Sequence, residues 1–182
     1  MAHKLRKCKN CKAEFVPRLP LQSVCDYKCA TEIAIKKRTS DGKKALQQQK
    51  RELKAAKDKI KSRSDWMREA QTEFNKFIRA RDWQDSCISC GTRNFIQYHA
   101  GHYRTTKAAP ELRFNELNCH KQCSVCNNHL SGNLILYRKG LINKIGIELV
   151  EYLEGQHPAK HYSIDDLKDL KALYKQKIKE LK

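Results

Sequence analysis

Cysteine spacing constrains this chain more than any other feature. Eight of its nine cysteines fall into two sets of four. Cys8-x-x-Cys11 is followed by Cys25-x-x-x-Cys29, and Cys87-x-x-Cys90 by Cys123-x-x-Cys126. Such a pair turns two thiolates toward one point, and two pairs complete a tetrahedron around zinc. Disulfides are the competing use of closely paired cysteines. The N-terminal stretch carries no apolar secretory run, so metal is the expected partner and the cytoplasm the expected compartment. We therefore expect two structural Zn2+ sites, with all eight of these cysteines as ligands.

Residues 1–35 hold the first set. Phe15, Val16 and Val24 are the few apolar side chains able to pack beneath it. A segment so short has little core, and structural zinc contributes roughly 10–16 kcal/mol to folding peptides of this kind. Residues 36–64 follow as a basic helical linker. Positions 36–63 carry 12 Lys and Arg against 3 Asp and Glu, in a chain whose net charge is +18. Ala, Lys, Gln, Leu and Glu favour helix from about Thr31 to Lys61, with a break expected at Ser40-Asp41-Gly42. Leu46, Leu53 and Ile60 recur every seven residues, a thin stripe suited to a weak coiled-coil contact or to lying on the body. The charge points to a polyanion, with Lys43, Lys44, Lys50 and Arg51 as phosphate contacts. No apolar run approaches the ~20 residues of a membrane span, so no membrane partner is expected.

A third part, 65–155, starts a helix at Ser64-Asp65. Trp66, Ala70, Phe74, Phe77 and Ile78 give it one apolar face up to about Trp83. Asn94–His99 is expected as a short strand and Leu117–Gln122 as its partner. A helix should open at Cys126, and another should run from Gly140 to Leu153. The last part, 156–182, is a helix opened by Ser163-Ile164-Asp165-Asp166. Its Leu167, Leu170, Tyr174, Ile178 and Leu181 should face inward. The expected class is α+β and mostly helical. A zinc-stapled ββα-metal core is joined to an N-terminal zinc module and long basic helices.

The second cysteine set brackets residues suited to phosphodiester hydrolysis. That reaction needs an activated water, charge stabilisation on phosphate, and help for the leaving oxygen. A neutral histidine takes the proton, and His102 is the expected base. Asn127 directly follows Cys126, so zinc fixes its direction, and its amide oxygen is a hard ligand suited to Mg2+. His99 is a candidate second ligand of that catalytic metal. On a regular strand it faces away from His102, unless Ala100-Gly101 bends. Asn118 is expected to hold the loop that orients His102. Arg104, Lys107 and Arg113 lie in that loop as phosphate contacts, and His120 shares the parity of Asn118 and could also reach phosphate. His129 should point away from Asn127, and Cys119 has no zinc partner. No Asp or Glu adjoins His102, so the ion would lean on the substrate phosphate, or Mn2+ would be preferred over Mg2+.

At these residues the chain resembles the NinG (Rap) recombination protein family of lambdoid phages. The matching strings are Cys87-Ile88-Ser89-Cys90-Gly91, Ala100 through Thr106, Leu112-Arg113-Phe114-Asn115, Asn118 through Asn127, and Ser131-Gly132-Asn133. Some members carry an acidic residue at the place of His99. The resemblance implies a structure-specific endonuclease that cuts branched DNA such as D-loops and four-way junctions within a bacterial host. It also implies an HNH-type (His-Me finger) site carried by His102, Asn118 and Asn127. Other recombination proteins are further expected partners. A two-fold junction would suit a homodimer, joined through the helices at 36–63 and 163–181. Two other classes stay open: a non-catalytic zinc-containing DNA-binding accessory protein, and a protein-interaction module on a coiled coil.

Overall fold

The computed structural model describes residues 4–181. Its chain divides into two units, Met1–Ile60 and Lys61–Lys182.

In the first unit, strands β1 (Arg6–Lys7) and β2 (Glu14–Phe15) pair antiparallel, with Arg6 opposite Phe15 and Lys7 opposite Glu14. The turn between them carries Cys8 and Cys11. Lys12 closes it at φ 66°, while the Cys8 N–H donates to the Ala13 carbonyl at 2.8 Å. Val16, expected beneath the metal, is exposed, and Pro17 is buried instead. Helix α1 (Tyr27–Ile60) starts where the Asp26 carboxylate accepts from the Cys29 N–H at 2.8 Å. It runs unbroken through Ser40-Asp41-Gly42, contrary to the expected break. An interior glycine weakens a helix by about 1 kcal/mol, and good helix formers on both sides outweigh that. Cys29 is its one buried residue. Leu46, Leu53 and Ile60 are all exposed.

The second unit places a β-hairpin between two helical layers. Helix α2 (Arg63–Arg81) opens with a capping box, Ser62 and Asp65 satisfying each other's backbone N–H. Its buried face is Trp66, Ala70, Phe74, Phe77 and Ile78, as the spacing requires. The helix ends before Trp83, which is exposed rather than part of that face. Strand β3 (Tyr98–His102) pairs antiparallel with β4 (Cys119–Cys123), Tyr98 opposite Cys123 and His102 opposite Cys119. The first strand therefore lies about one turn of chain later than expected. Phe95 and Ile96, the apolar residues that suggested it, are exposed and outside it. Cys126 opens no regular helix but sits in a short π-helical turn, Val125–His129.

The expected helix over 140–153 is two helices, α3 (Leu134–Ile145) and α4 (Ile147–Glu154). Gly146 separates them at φ +86°, a conformation that costs glycine little. Helix α5 (Ile164–Glu180) carries the Ser163–Asp166 capping box. It buries Leu167 and Tyr174, while Leu181 stays exposed. One face of the hairpin, with Ala100 and Cys119, packs on α2 and α5 together with Phe114 and Tyr162. On the far side, Tyr137 of α3 donates to the Gly101 carbonyl at 2.8 Å. Around it, Tyr103, Leu112, Leu141, Val150 and Leu153 form a second apolar core. No described helix is long and apolar enough to cross a membrane.

Candidate functional site

Both cysteine sets close. Within each, four sulfur atoms lie within 4.8 Å of one another. Sulfurs bound to one tetrahedral zinc stand about 3.8 Å apart, given bonds of about 2.3 Å. The separations here are 3.6 Å for Cys11–Cys25, 3.5 Å for Cys25–Cys29 and 3.8 Å for Cys90–Cys123. Backbone amides support the sulfurs, with the Cys25 N–H donating to Cys8 at 3.4 Å and the Cys123 N–H to Cys87 at 3.3 Å. Burial disfavours the Cys8 thiolate, but amides of Cys25, Cys11 and Asn10 outweigh it and bring its pKa down to about 6. Neighbouring sulfur pushes Cys25 the other way, well above the ordinary thiol value. A cation at the centre relieves that crowding. All nine cysteines are free of disulfides, and the two sets can hold structural zinc.

The second clasp fixes the open end of the hairpin, since Cys123 pairs with Tyr98. His102 stands at the other end of β3 as its last residue. Its ring lies on the α2 side, 5.9 Å from Phe74. Nε2 is 2.9 Å from the Arg113 carbonyl and Nδ1 is 3.7 Å from the Cys119 sulfur. Burial lowers its pKa, the Arg113 charge adds to this, and the Arg113 carbonyl opposes it. The imidazole is thus neutral at pH 7. Cys119, fully buried, has its thiol held protonated by burial.

Asn118 is fully buried and bonds to the loop that follows His102. Its Oδ1 accepts from the Arg104 N–H at 2.8 Å, and its Nδ2 donates to the carbonyls of Arg104 and Leu112 at 2.9 and 3.2 Å. With every one of these bonds internal, it clamps both ends of the loop that follows His102. Asn127 and His102 line one pocket of about 380 Å³, together with Thr105, Thr106, Ser131, Gly132 and Leu134. No carboxylate lines it.

His99 faces away from His102, opposite Gln122 on the α3 side of the hairpin. The Ala100-Gly101 backbone stays within the strand, so no bend brings the two histidines to one face. The His99 Nε2 is buried without a hydrogen-bond partner, and so is the Gln122 Oε1.

The expected phosphate contacts divide into two groups. Lys43, Lys44, Lys50, Arg51 and Lys107 are exposed. Lys43 and Lys44 share a shallow depression with Lys36, Thr39, Ser40 and Gln47 on one face of α1. Arg104 and Arg113 are engaged inside. The Arg104 guanidinium caps α4 at the Leu153 and Glu154 carbonyls, at 3.2 and 3.0 Å. Arg113 donates to the Gln71 side chain at 3.2 Å and to the Thr106 carbonyl at 3.5 Å. His120 is buried beside Tyr137, and burial with the charges of Lys144 and Arg81 lowers its pKa to about 3. It is a packed neutral residue rather than a surface contact. His129 is exposed.

Two supports escaped sequence reasoning. Glu154 accepts from the Tyr103 hydroxyl and pairs with Arg138 at 2.8 Å, holding the loop after His102 to α3 and α4. Arg81 and Asp82 hold the outer edge of β4. Arg81 donates to the Cys119 carbonyl at 2.9 Å, and Asp82 accepts the Lys121 N–H at 3.0 Å. Neither has a local motif. Only the hairpin register, had it been known, would have exposed the pairing of Gln122 with His99.

Fold and site together define a basic, mostly helical α+β protein with two four-cysteine clusters that can each hold a metal ion. The family model for the bacteriophage lambda NinG protein matches residues 1–182, and the chain belongs to that family. It is 46% identical over 190 residues to the protein ninG of Escherichia phage lambda, covering 97% of this chain and 93% of that one. Against the protein ninG of Salmonella phage P22, identity is 45% over 190 residues, covering 97% and 94%. That of Escherichia phage 933W is 45% identical over 188 residues, with the same coverage. No solved structure matches the chain.

Proposed function

We propose that this chain is a metal-dependent endonuclease of phage recombination that hydrolyses phosphodiesters in branched DNA, with an HNH-type site. The observation that carries the reading is the shared pocket of His102 and Asn127 beside a four-cysteine clasp. The net charge of +18 supports a nucleic-acid substrate. Lys43, Lys44, Lys50, Arg51 and Lys107 are the phosphate contacts of this reading.

A divalent cation, Mg2+ or Mn2+, supplies charge stabilisation on the phosphate and leaving oxygen when bound. Asn127 and His99 would hold it. The donor set fits a weak site, because an amide oxygen and an imidazole nitrogen carry no charge and His99 Nε2 has no other partner. His102 takes the proton from water. Its Nε2–H donates to the Arg113 carbonyl, which leaves Nδ1 as the basic nitrogen, and for catalysis Nδ1 must turn from the Cys119 thiol to meet water. Thr105, Thr106 and Ser131 offer hydroxyls to the phosphate. Asn118 acts as a positioning residue through the loop it clamps.

A second reading is a non-catalytic DNA-binding recombination accessory protein. It is favoured by the two internal partners of the His102 ring and by the pocket's lack of a carboxylate. One experiment separates them. Zinc-loaded wild type and His102→Ala are incubated with a labelled four-way junction and a linear duplex, with Mg2+ or Mn2+ and without either. The nuclease reading expects cleavage by wild type alone, only with the ion and favouring the junction. A loss of about 100-fold or more in the variant is expected for removal of a general base. Binding of the junction by both proteins with cleavage by neither establishes the accessory reading.

A further inference from the structure

Gln122 is fully buried on β4, yet one of its amide atoms has no partner. Its Nε2 donates to the Ser89 hydroxyl at 2.7 Å and to the Gly132 carbonyl at 2.6 Å. Gly132 offers only an acceptor there, so a flipped amide would set oxygen against oxygen. The orientation of Gln122 is therefore fixed, and Oε1 is the orphan. It points at Gly101. A Cβ built on Gly101 would lie 2.2 Å from Gln122 Oε1 and 3.0 Å from Asn127 Oδ1. Gly101 has ordinary strand backbone, so glycine is required here for space. Asn127 Nδ2 donates to Asn128 Oδ1 at 2.6 Å, with Asn127 Oδ1 toward Gly101. Two amide oxygens thus converge on bare backbone. His99, with its own orphaned Nε2, is the cross-strand partner of Gln122.

Acceptors left without a donor are costly when buried, at roughly 1–3 kcal/mol each, and of the two oxygens Gln122 Oε1 is the one so placed. A donor or a cation must meet it. Amide oxygens are hard ligands, and imidazole suits the same first-row divalent ions. We infer that Gln122 is a protein ligand of the divalent cation held by His99 and Asn127, its carbonyl oxygen completing the set. The inference rests on the nuclease reading for the use of that cation but not for its binding. It gives Gln122 two tasks. The amide nitrogen ties the knuckle at Ser89 to the turn at Gly132, and the oxygen serves the ion between them.

Mn2+ tests this without any cleavage assay. The full chain, loaded with zinc, is titrated with Mn2+, and the free-ion paramagnetic resonance signal reports binding. Wild type is expected to bind one Mn2+ per chain beyond its zinc. Gln122→Met preserves volume but removes the oxygen together with the Nε2 ties to Ser89 and Gly132, and is expected to bind at least about ten-fold more weakly. Unchanged zinc content and circular dichroism certify its fold. A second measurement needs no variant. Substoichiometric Mn2+ should broaden the side-chain amide signals of Gln122 and Asn127 in wild type before those of Gln176 on α5. The inference fails if wild type binds no Mn2+ beyond zinc. It fails equally if folded Gln122→Met binds as tightly as wild type, or if broadening spares Gln122 and a buried water fills the space. Gln122-dependent binding with no cleavage of any branched DNA would sink the nuclease reading alone. Ion-dependent cleavage with Mn2+ binding unchanged in the variant would sink this inference alone.

Discussion

At His120, burial and two nearby cations act in the same direction, against the weaker pull of Asp82 and Asp85. Desolvation and the cations Lys144 and Arg81 hold its pKa near 3, against 6.5 when unfolded. A folded pKa below the unfolded one means stability is complete above about pH 6.5 and is lost as pH falls toward 3. At pH 5.5 the loss depends only on the unfolded value and amounts to about 1.4 kcal/mol. Urea unfolding at pH 7.5 and 5.5, with zinc content matched, should show that drop in wild type and a smaller one in His120→Gln. Equal slopes in the two proteins would refute it. Other single-residue roles were only partly legible. Asn118 was, because an asparagine just ahead of a strand bearing fixed cysteines has a loop within reach. Arg104 and Arg113 were not. A guanidinium in a basic loop reads as a phosphate contact, and nothing local says that α4, some fifty positions on, ends against it.

Among the elements, the close approach of α3 to the zinc knuckle is the tightest packing. A Cβ on Gly140 would meet the Ile88 carbonyl oxygen at 1.9 Å, and that oxygen is backbone. Gly140→Ala is therefore expected to force α3 off the knuckle and to destabilise the second unit by about 3 kcal/mol. Thermal unfolding checks this, and a variant as stable as wild type would show that the knuckle moves freely. Helices α2 and α5 were readable because the spacing of their apolar residues agreed with burial, and α5 also through its capping box; the α2 box begins at Ser62, two residues before the expected start at Ser64. The strand was displaced because Phe95 and Ile96 are apolar without being buried. What sets β3 is its pairing with Cys123, and pairing across a long connection leaves no local trace. Gly42 and Gly146 make the converse point. Both are glycines between helix formers, but one is absorbed into α1 and the other stops α3. The difference is tertiary, since the residues flanking Gly146 bury Leu141 and Val150 in a common core.

For the whole molecule, the two units should answer differently to loss of metal. Among the described residues of the first, only Cys8, Pro17 and Cys29 are buried, so sulfur and metal stand in for a core. The second has two apolar clusters besides its clasp. Chelation of zinc is expected to abolish amide-exchange protection over Arg6–Cys25 while α2 and α5 keep theirs. Protection of β1 and β2 surviving zinc removal would mean that the first unit folds without its ion. The two sites and the helical, two-strand architecture were thus open to sequence reasoning because cysteine spacing is a local signal. Strand parity also set His99 and His102 on opposite faces, but which helical layer each face meets was not legible.

The pairing of Tyr98 with Cys123 carries one more consequence. In a short hairpin the turn dictates which residues face each other, but here the strands are joined by the long stretch from Tyr103 to Asn118, whose length alone sets no alignment and whose ends are held by Asn118. A slip of one position would exchange the two faces of β4 and carry Cys123 out of reach of Cys87 and Cys90. An ion held there would act as a ruler at the open end, accepting one alignment and refusing its neighbours. A chain built this way keeps count of its strands at the end far from the connecting loop, and leaves that loop to serve the pocket.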